Sequence, residues 1–147
     1  MNYFFDTSAL VKLFHEETGS DIVEDLVNDQ NNEIWVSELI RLEFLSSVYR
    51  RFRQKELSEE EVNNVIDDFD EQLQLFHMEP LGSGVVIESE QLMKEYGKTE
   101  GLRSLDALHL GACRLLAEQD WVFVCADSRL CDIASQCDIK VKNPVGE

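Results

Sequence analysis

Two aspartates in this sequence directly follow apolar segments, where a charged side chain is costly unless it has a role. Asp6 follows residues 2–5, and Asp127 follows residues 121–126. A carboxylate beside a buried strand loses hydration that a hydrogen-bond partner or a cation must replace. Carboxylate oxygens are the ligands that Mg²⁺ and Mn²⁺ prefer, so this placement points to metal-assisted hydrolysis.

Two further acids, Glu43 and Asp106, stand inside apolar helical patterns, whereas most of the 30 Asp and Glu residues are explained as solvated helix faces. Each acid also has a purely structural explanation. Asp6 or Asp127 could cap the following helix. Asp106 could complement a helix dipole, and Glu43 could lie on an exposed stripe. Because all four explanations would have to hold at once, we interpret the set as a site, called here the four acids: Asp6, Glu43, Asp106 and Asp127.

Other kinds of catalytic centre have little support in the composition. The sequence has no Ser–His or Cys–His pair with supporting context and no glycine-rich phosphate-binding loop. Its four cysteines lack Cys-x-x-Cys spacing, which favours small buried side chains over zinc ligands. Four converging carboxylates need cations to stay ionised, and Mg²⁺ or Mn²⁺ would activate water for attack on a phosphodiester.

Length and charge restrict the remaining possibilities. The 147 residues and 44% hydrophobic content predict one globular domain, residues 1–147. No apolar run approaches the ~20 residues of a transmembrane helix, and the N-terminus lacks a basic signal-peptide start, so we expect a cytoplasmic protein without membrane contact. The net charge of −17 opposes long-range attraction of RNA or DNA, within a screening length of roughly 8–10 Å. Nucleic-acid binding would therefore depend on local arrangement.

Predicted strands and helices alternate along the chain, which favours a parallel sheet covered by helices. The predicted strands are residues 2–5, 34–36, 75–78, 121–126 and 139–141. The predicted helices are residues 8–14, 19–28, 37–55, 58–73 and 85–96, one that Ser104 caps, and a last one ending near residue 135. A loop is expected between Gly97 and Gly101. On the helix that Ser37 would cap, four apolar residues have core spacing: Leu42, Leu45, Tyr49 and Phe52.

Several of these segments together resemble a known family. They are YFFDTSAL at 3–10, SEL at 37–39 followed by Glu43, LRSLDALHL at 102–110, and residues 122–127 followed by SRL. On these residues the chain resembles the PIN-domain ribonucleases, and within them the toxins of VapBC-type toxin–antitoxin pairs. The third segment is the most specific of the four.

The resemblance implies an α/β fold, a PIN-like three-layer sandwich with a central, mainly parallel sheet between helices. It places the family's metal-binding acids on the four acids, with Mg²⁺ or Mn²⁺ as cofactor. The implied activity is that of an endoribonuclease toxin restrained by a small antitoxin, so the expected partners are RNA and antitoxin, with a homodimer as a further option. The family usually has a hydroxyl residue two positions before its fourth acid, where this chain has Cys125. Whether the side chain at position 125 makes the hydrogen bond that a hydroxyl would make there is left open.

Six residues near the four acids are candidate substrate contacts: Thr7, Ser8, Arg50, Arg53, Arg103 and Ser128. On a helix, Arg50 would lie about 10 Å along the axis from Glu43, where it could meet an RNA backbone. A solvated basic face is the alternative for Arg50 and Arg53.

The remaining polar residues around the four acids have open roles. Thr7 and Ser8 could contact a metal-bound water or substrate, or simply start a helix. Arg103 could orient Asp106 or hold phosphate. His109 is interpreted as a packed core histidine rather than a ligand.

Two other functions remain open. An aspartate-nucleophile phosphatase would also begin with a strand ending in Asp6 and Thr7, but it needs an acid two residues after the nucleophile, where this chain has Ser8. The second alternative is a PIN-like module that binds partners and has no activity. Retention of all four acids speaks against that second alternative.

Overall fold

The computed structural model describes residues 1–146, which contain one five-stranded sheet. Its strands are β1 (Asn2–Phe5), β2 (Glu33–Ser37), β3 (His77–Glu79), β4 (Val122–Val124) and β5 (Lys140–Lys142). Their order across the sheet is β3-β2-β1-β4-β5, and every neighbouring pair is parallel. The central β1 is paired on both sides, so Phe5 is in register with both Val36 and Val124.

Within residues 1–146, seven α-helices connect and cover these strands. They are α1 (Thr7–Leu10), α2 (Ser20–Asn28), α3 (Ile40–Arg53), α4 (Glu59–Leu73), α5 (Ser83–Glu100), α6 (Ser104–Leu116) and α7 (Ser128–Gln136). A short 3-10 helix, Val11–Leu13, directly follows α1. In this part of the chain no helix combines the length and apolar character needed to cross a bilayer.

Alternating side chains of the sheet support two separate cores. Phe4 packs with α5, α6 and α7, whereas its neighbour Phe5 packs with α1 to α4 on the opposite face. The second core contains the stacked rings of Phe44 and Phe69, whose centroids are 3.8 Å apart. Successive strand residues point to opposite faces, so helices cover both sides of the sheet, and within β1 both Phe4 and Phe5 are fully buried. The predicted α/β sandwich with a parallel sheet is confirmed.

The predicted core face of α3 is wrong. The residues of α3 that enter the core are Ile40, Phe44 and Val48. By contrast, Leu42 is 68%, Tyr49 45% and Phe52 44% exposed. Both stripes repeat at helical spacing, so periodicity alone could not choose between them. The direction in which the chain leaves β2 determines which stripe meets the sheet.

Three predicted helix boundaries also need correction. Helix α5 continues through Gly97, which was expected in a loop, and ends at Gly101, whose φ of 68° suits a glycine C-cap. Ser104 is the first helical residue of α6 and not its cap. Ser37 belongs to β2, and its hydroxyl accepts a hydrogen bond from the Leu39 amide at 3.1 Å.

Helices α5 and α6 approach each other closely at Gly111. A Cβ at this position would lie 2.2 Å from Ser89 Oγ and 3.1 Å from Ser89 Cα. Ser89 is itself buried, and its hydroxyl donates to the Val85 carbonyl at 2.7 Å. Since Asp106 lies on α6, this contact helps to position one of the four acids.

We expect Gly111→Ala to lower the free energy of unfolding by about 1–3 kcal/mol, because the methyl group overlaps Ser89. Gly84→Ala on α5 is the matched control. Its Cβ would meet Leu115 Cδ2 at an ordinary 3.5 Å, and alanine has the higher helix propensity. Urea unfolding of both variants measures the difference, and equal stability of the two would contradict this account.

Candidate active site

The four acids meet at the edge of the sheet where the parallel strands end. Because Phe5 pairs with Val124, the residues that follow β1 and β4 emerge side by side, and the Asp6 amide donates to the Val124 carbonyl at 3.1 Å. Glu43 lies in the first turn of α3 and Asp106 in the first turn of α6. All four line one cleft of about 560 Å³. Such a position is where open parallel sheets bind ligands.

Asp6 is the most buried of the four acids, with 3% of its surface exposed. Its side chain caps α1 by accepting a bond from the Ala9 amide at 3.1 Å. Ser8 Oγ lies 2.8 and 2.9 Å from the two carboxylate oxygens, and Cys125 Sγ donates to Oδ2 at 3.3 Å. Burial raises the pKa of Asp6, although these hydrogen bonds oppose the shift.

Glu43 is held by two side chains from other elements. Thr7 Oγ1 donates to Glu43 Oε1 at 2.6 Å, and His109 Nε2 lies 2.5 Å from the same oxygen. Burial alone would raise the pKa of Glu43, but the hydrogen bond and the electrostatic attraction of His109, together with the hydrogen bond from Thr7, outweigh it and lower the pKa overall. The buried His109 Nδ1 has no partner among the described residues. The contact with His109 thus gives the Glu43 carboxylate a second hydrogen-bond partner on the same oxygen.

Asp106 and Asp127 share one cation, the guanidinium of Arg103. Arg103 Nη2 lies 3.0 Å from Asp106 Oδ2 and 3.4 Å from Asp127 Oδ2. The other oxygen of Asp127 caps α7, accepting from the amides of Arg129 at 2.9 Å and Leu130 at 3.3 Å. Capping by Asp6 and Asp127 is therefore real, and both acids line the cleft as well.

Cys125 takes the place of the hydroxyl residue that the family resemblance leads one to expect. Its Sγ donates to Asp6 Oδ2 and accepts from the Asp127 amide, each at 3.3 Å. The adjacent Cys131 thiol and burial raise the pKa of Cys125, which keeps it a neutral donor. A thiol at this position thus links the first and fourth acids.

The structure brings some of the predicted substrate contacts together and leaves others outside. Four of them line the cleft: Thr7, Ser8, Arg50 and Arg103. Arg53 and Ser128 are not among the lining residues and are exposed elsewhere. Arg53 lies three residues after Arg50 on α3, roughly 4.5 Å farther along the helix axis, which takes it past the end of the cleft.

Other lining residues were not assigned to the site from sequence. They are Val11, Ser46, Ser47, Arg51, Leu105 and His109. Helical spacing alone could have predicted that the histidine and the two serines among them line the cleft. His109 stands one turn after Asp106, and the two serines stand one turn after Glu43.

The donor set of the cleft suits a hard divalent cation. The four acids offer oxygen ligands, as Mg²⁺ and Mn²⁺ prefer. Arg103 already bridges two of them, so this part of the cleft accommodates positive charge. Burial disfavours the ionised form of Asp6, and a cation would offset that effect.

Within residues 1–146, however, no three His, Cys, Asp or Glu side chains are close enough to form a ready-made ion site. The chemistry fits, and the ligands would have to move closer together.

Solved structures with a similar fold include several toxin–antitoxin proteins. FitAcB from Neisseria gonorrhoeae is 18% identical, with 97% of each chain covered and a TM-score of 0.70. VapBC2 from Rickettsia felis, bound to a DNA fragment from its promoter, is 18% identical over 97% of this chain and 98% of that chain, with a TM-score of 0.66. VapC20 from Mycobacterium tuberculosis, a toxin that cleaves the sarcin-ricin loop, is 14% identical over 82% and 86%, with a TM-score of 0.59.

Sequence comparison gives the family directly. No curated protein is significantly similar to the chain as a whole. The model of the PIN domain family, in contrast, matches residues 3–136, which include the four acids. The chain therefore belongs to the PIN domain family.

Proposed function

We propose that this protein is a Mg²⁺- or Mn²⁺-dependent endoribonuclease and the toxin of a type II toxin–antitoxin pair. One observation carries the proposal: four acids from separate elements line a single cleft at the carboxyl edge of the sheet. Membership of the PIN family supports nuclease chemistry. The fold is also shared with VapC20, a toxin that cleaves the sarcin-ricin loop.

The four acids would hold the divalent ion. When bound there, it would activate water and offset the negative charge that develops on a phosphodiester during hydrolysis. His109 and Thr7 keep Glu43 ionised and fix the direction of its carboxylate. Hydrogen bonds from Ser8 and Cys125 likewise fix the orientation of the Asp6 carboxylate. These supporting bonds limit how far the ligands can turn away from one another.

RNA would approach along the basic side of the cleft. Arg50, Arg51 and Arg103 line it, and Ser46 and Ser47 add hydroxyl groups. Arg51 also lies within 3.7 Å of Glu17, an ion pair that links α3 to the segment before α2. Contacts of this kind bind phosphates without regard to base, so the proposal assigns an RNA backbone and no sequence.

The two rival functions predict different behaviour. A phosphatase with Asp6 as nucleophile would need an acid at position 8, where Ser8 instead hydrogen-bonds Asp6. A partner-binding module without activity would keep the cleft but cleave no RNA. The following experiment separates these from the proposed nuclease.

We expect Asp106→Asn to reduce Mg²⁺- or Mn²⁺-dependent cleavage of RNA by at least about 10²-fold, because it removes a charged ligand where charge develops. EDTA should abolish wild-type activity. Asp132→Asn on α7 is the matched control, since Asp132 is exposed and does not line the cleft. Cleavage of structured and single-stranded RNAs is followed on gels. Activity that survives EDTA, or an equal loss in both variants, would contradict the proposal.

Without metal, we expect Asp6→Asn to be more stable than the wild-type protein at neutral pH, because burial raises the pKa of Asp6. The folded wild-type protein holds this proton more tightly than the unfolded chain. Its stability therefore falls as pH rises from about 3.8 through the folded pKa. The advantage of the variant should grow over that range, and Mn²⁺ should reverse it by binding native wild-type protein.

Thermal melts in EDTA and in Mn²⁺, from about pH 4 to about pH 8, measure both effects. A variant that is less stable than wild type at neutral pH in EDTA would contradict the assigned cost of burial.

A small antitoxin is the proposed restraint on this activity. A groove of about 260 Å³ lies beside the cleft, between α3 and α4, and shares Val11, Ser47 and Arg51 with it. Its apolar lining includes Phe14, Phe44, Val48, Leu57 and Val65. An amphipathic segment would fit such a groove. With −17 on this chain, the segment that reaches the four acids should be basic.

We expect the product of a short adjacent reading frame to copurify with this chain. Its association rate constant should be lower by roughly tenfold or more in physiological salt than in low salt. Leu57→Glu should weaken the complex because it places a charge in the groove. Leu75→Glu is the control, since Leu75 is 75% exposed and outside the groove. Rates are measured by surface plasmon resonance. Failure to copurify would contradict the antitoxin, and equal weakening by both variants would contradict the groove.

A further inference from the structure

Arg103 makes an unusual contact for a residue at the mouth of a cleft. Arg103 precedes the first turn of α6. Its guanidinium contacts Oδ2 of Asp106, three residues later, through both Nε, at 3.1 Å, and Nη2, at 3.0 Å. The same Nη2 lies 3.4 Å from Asp127. Among the residues that the structure describes, no other Lys or Arg pairs with any of the four acids.

This bridge is easily displaced. The Arg103 side chain is 72% exposed, and exposed ion pairs contribute little to folding because water and salt compete for both partners. Arg114, on α6, gives the contrast: its side chain is 22% exposed and pairs with Glu88 and Glu95, away from the cleft. Arg114 is positioned like a structural residue, whereas Arg103 occupies oxygens that a metal ion would need.

We propose that Arg103 is an internal counter-ion, which holds Asp106 and Asp127 together in the metal-free protein, yields them to the divalent ion, and then contacts the RNA phosphate. This inference rests on the proposed metal site. Arg103 stays anchored beside Asp106 through the backbone, so a released guanidinium remains in the cleft. Its planar fork of donors matches two phosphate oxygens. One residue thereby limits repulsion between two acids before the metal binds and supplies positive charge after it.

The test is a calorimetric titration of Mn²⁺ into RNA-free protein, for wild type and Arg103→Gln. We expect the variant to bind Mn²⁺ about 3- to 10-fold more tightly, because two competing ion pairs are gone. Arg50→Gln is the matched control: Arg50 lines the same cleft and pairs with no acid among residues 1–146, so its effect should be smaller and vanish in high salt. Arg103→Lys, which keeps the charge but loses the fork, should fall between wild type and Arg103→Gln.

The second readout is RNA cleavage at saturating Mn²⁺. There the Arg103→Gln variant should show a KM raised roughly tenfold, opposite in sense to its gain in metal affinity. A merely structural role would weaken metal binding and lower the melting temperature together.

The possible outcomes separate the two proposals. Wild-type protein that binds no Mn²⁺ would contradict the metal site and the proposed function. Metal binding that is unchanged or weaker in Arg103→Gln would contradict the counter-ion role alone, and an unchanged KM would contradict the phosphate contact.

Discussion

Carboxylates that converge in a partly buried cleft repel one another, and burial adds to the cost of every charge. The rest of this site is arranged around that constraint. Asp6 and Asp127 are neutralised in part by the helix N-termini that they cap. Glu43 has two hydrogen-bond donors on one oxygen, and Asp106 has Arg103. Each acid therefore has a local partner before any metal ion binds.

The partners come from different parts of the chain, and the parallel sheet is what brings them together. Strands β1 and β4 are neighbours, although more than a hundred residues separate them in sequence. Their ends place Asp6 beside Cys125, whose thiol then spans from Asp6 to the Asp127 backbone. The close packing at Gly111 sets α6 against α5 and so fixes the height of Asp106 and His109 above the sheet. Fold stability and site geometry thus depend on the same contacts.

Sequence reasoning succeeded where one local rule determined the outcome. Acids that end buried strands must gather at one edge of a parallel sheet, so the positions of Asp6 and Asp127 followed from their neighbours. Which face of α3 enters the core could not be predicted in this way, because Leu42 and Phe44 belong to two apolar stripes that are equally regular. The pairing of His109 with Glu43 was also out of reach, since it joins side chains 66 residues apart. Such contacts depend on how helices are rotated against the sheet, which local pattern does not specify.

The net charge of −17 acts on a different part of the surface from the arginines of the cleft. At physiological salt a field extends roughly 8–10 Å, so a phosphate inside the cleft is influenced mainly by Arg50, Arg51 and Arg103. Outside the cleft, and over the same short range, the acidic surface repels RNA and attracts a basic segment. The same charge distribution would therefore slow the encounter with free RNA and speed the encounter with a cationic antitoxin. Under the proposed function, competition between RNA and antitoxin would then be decided during approach as well as by contacts in the groove.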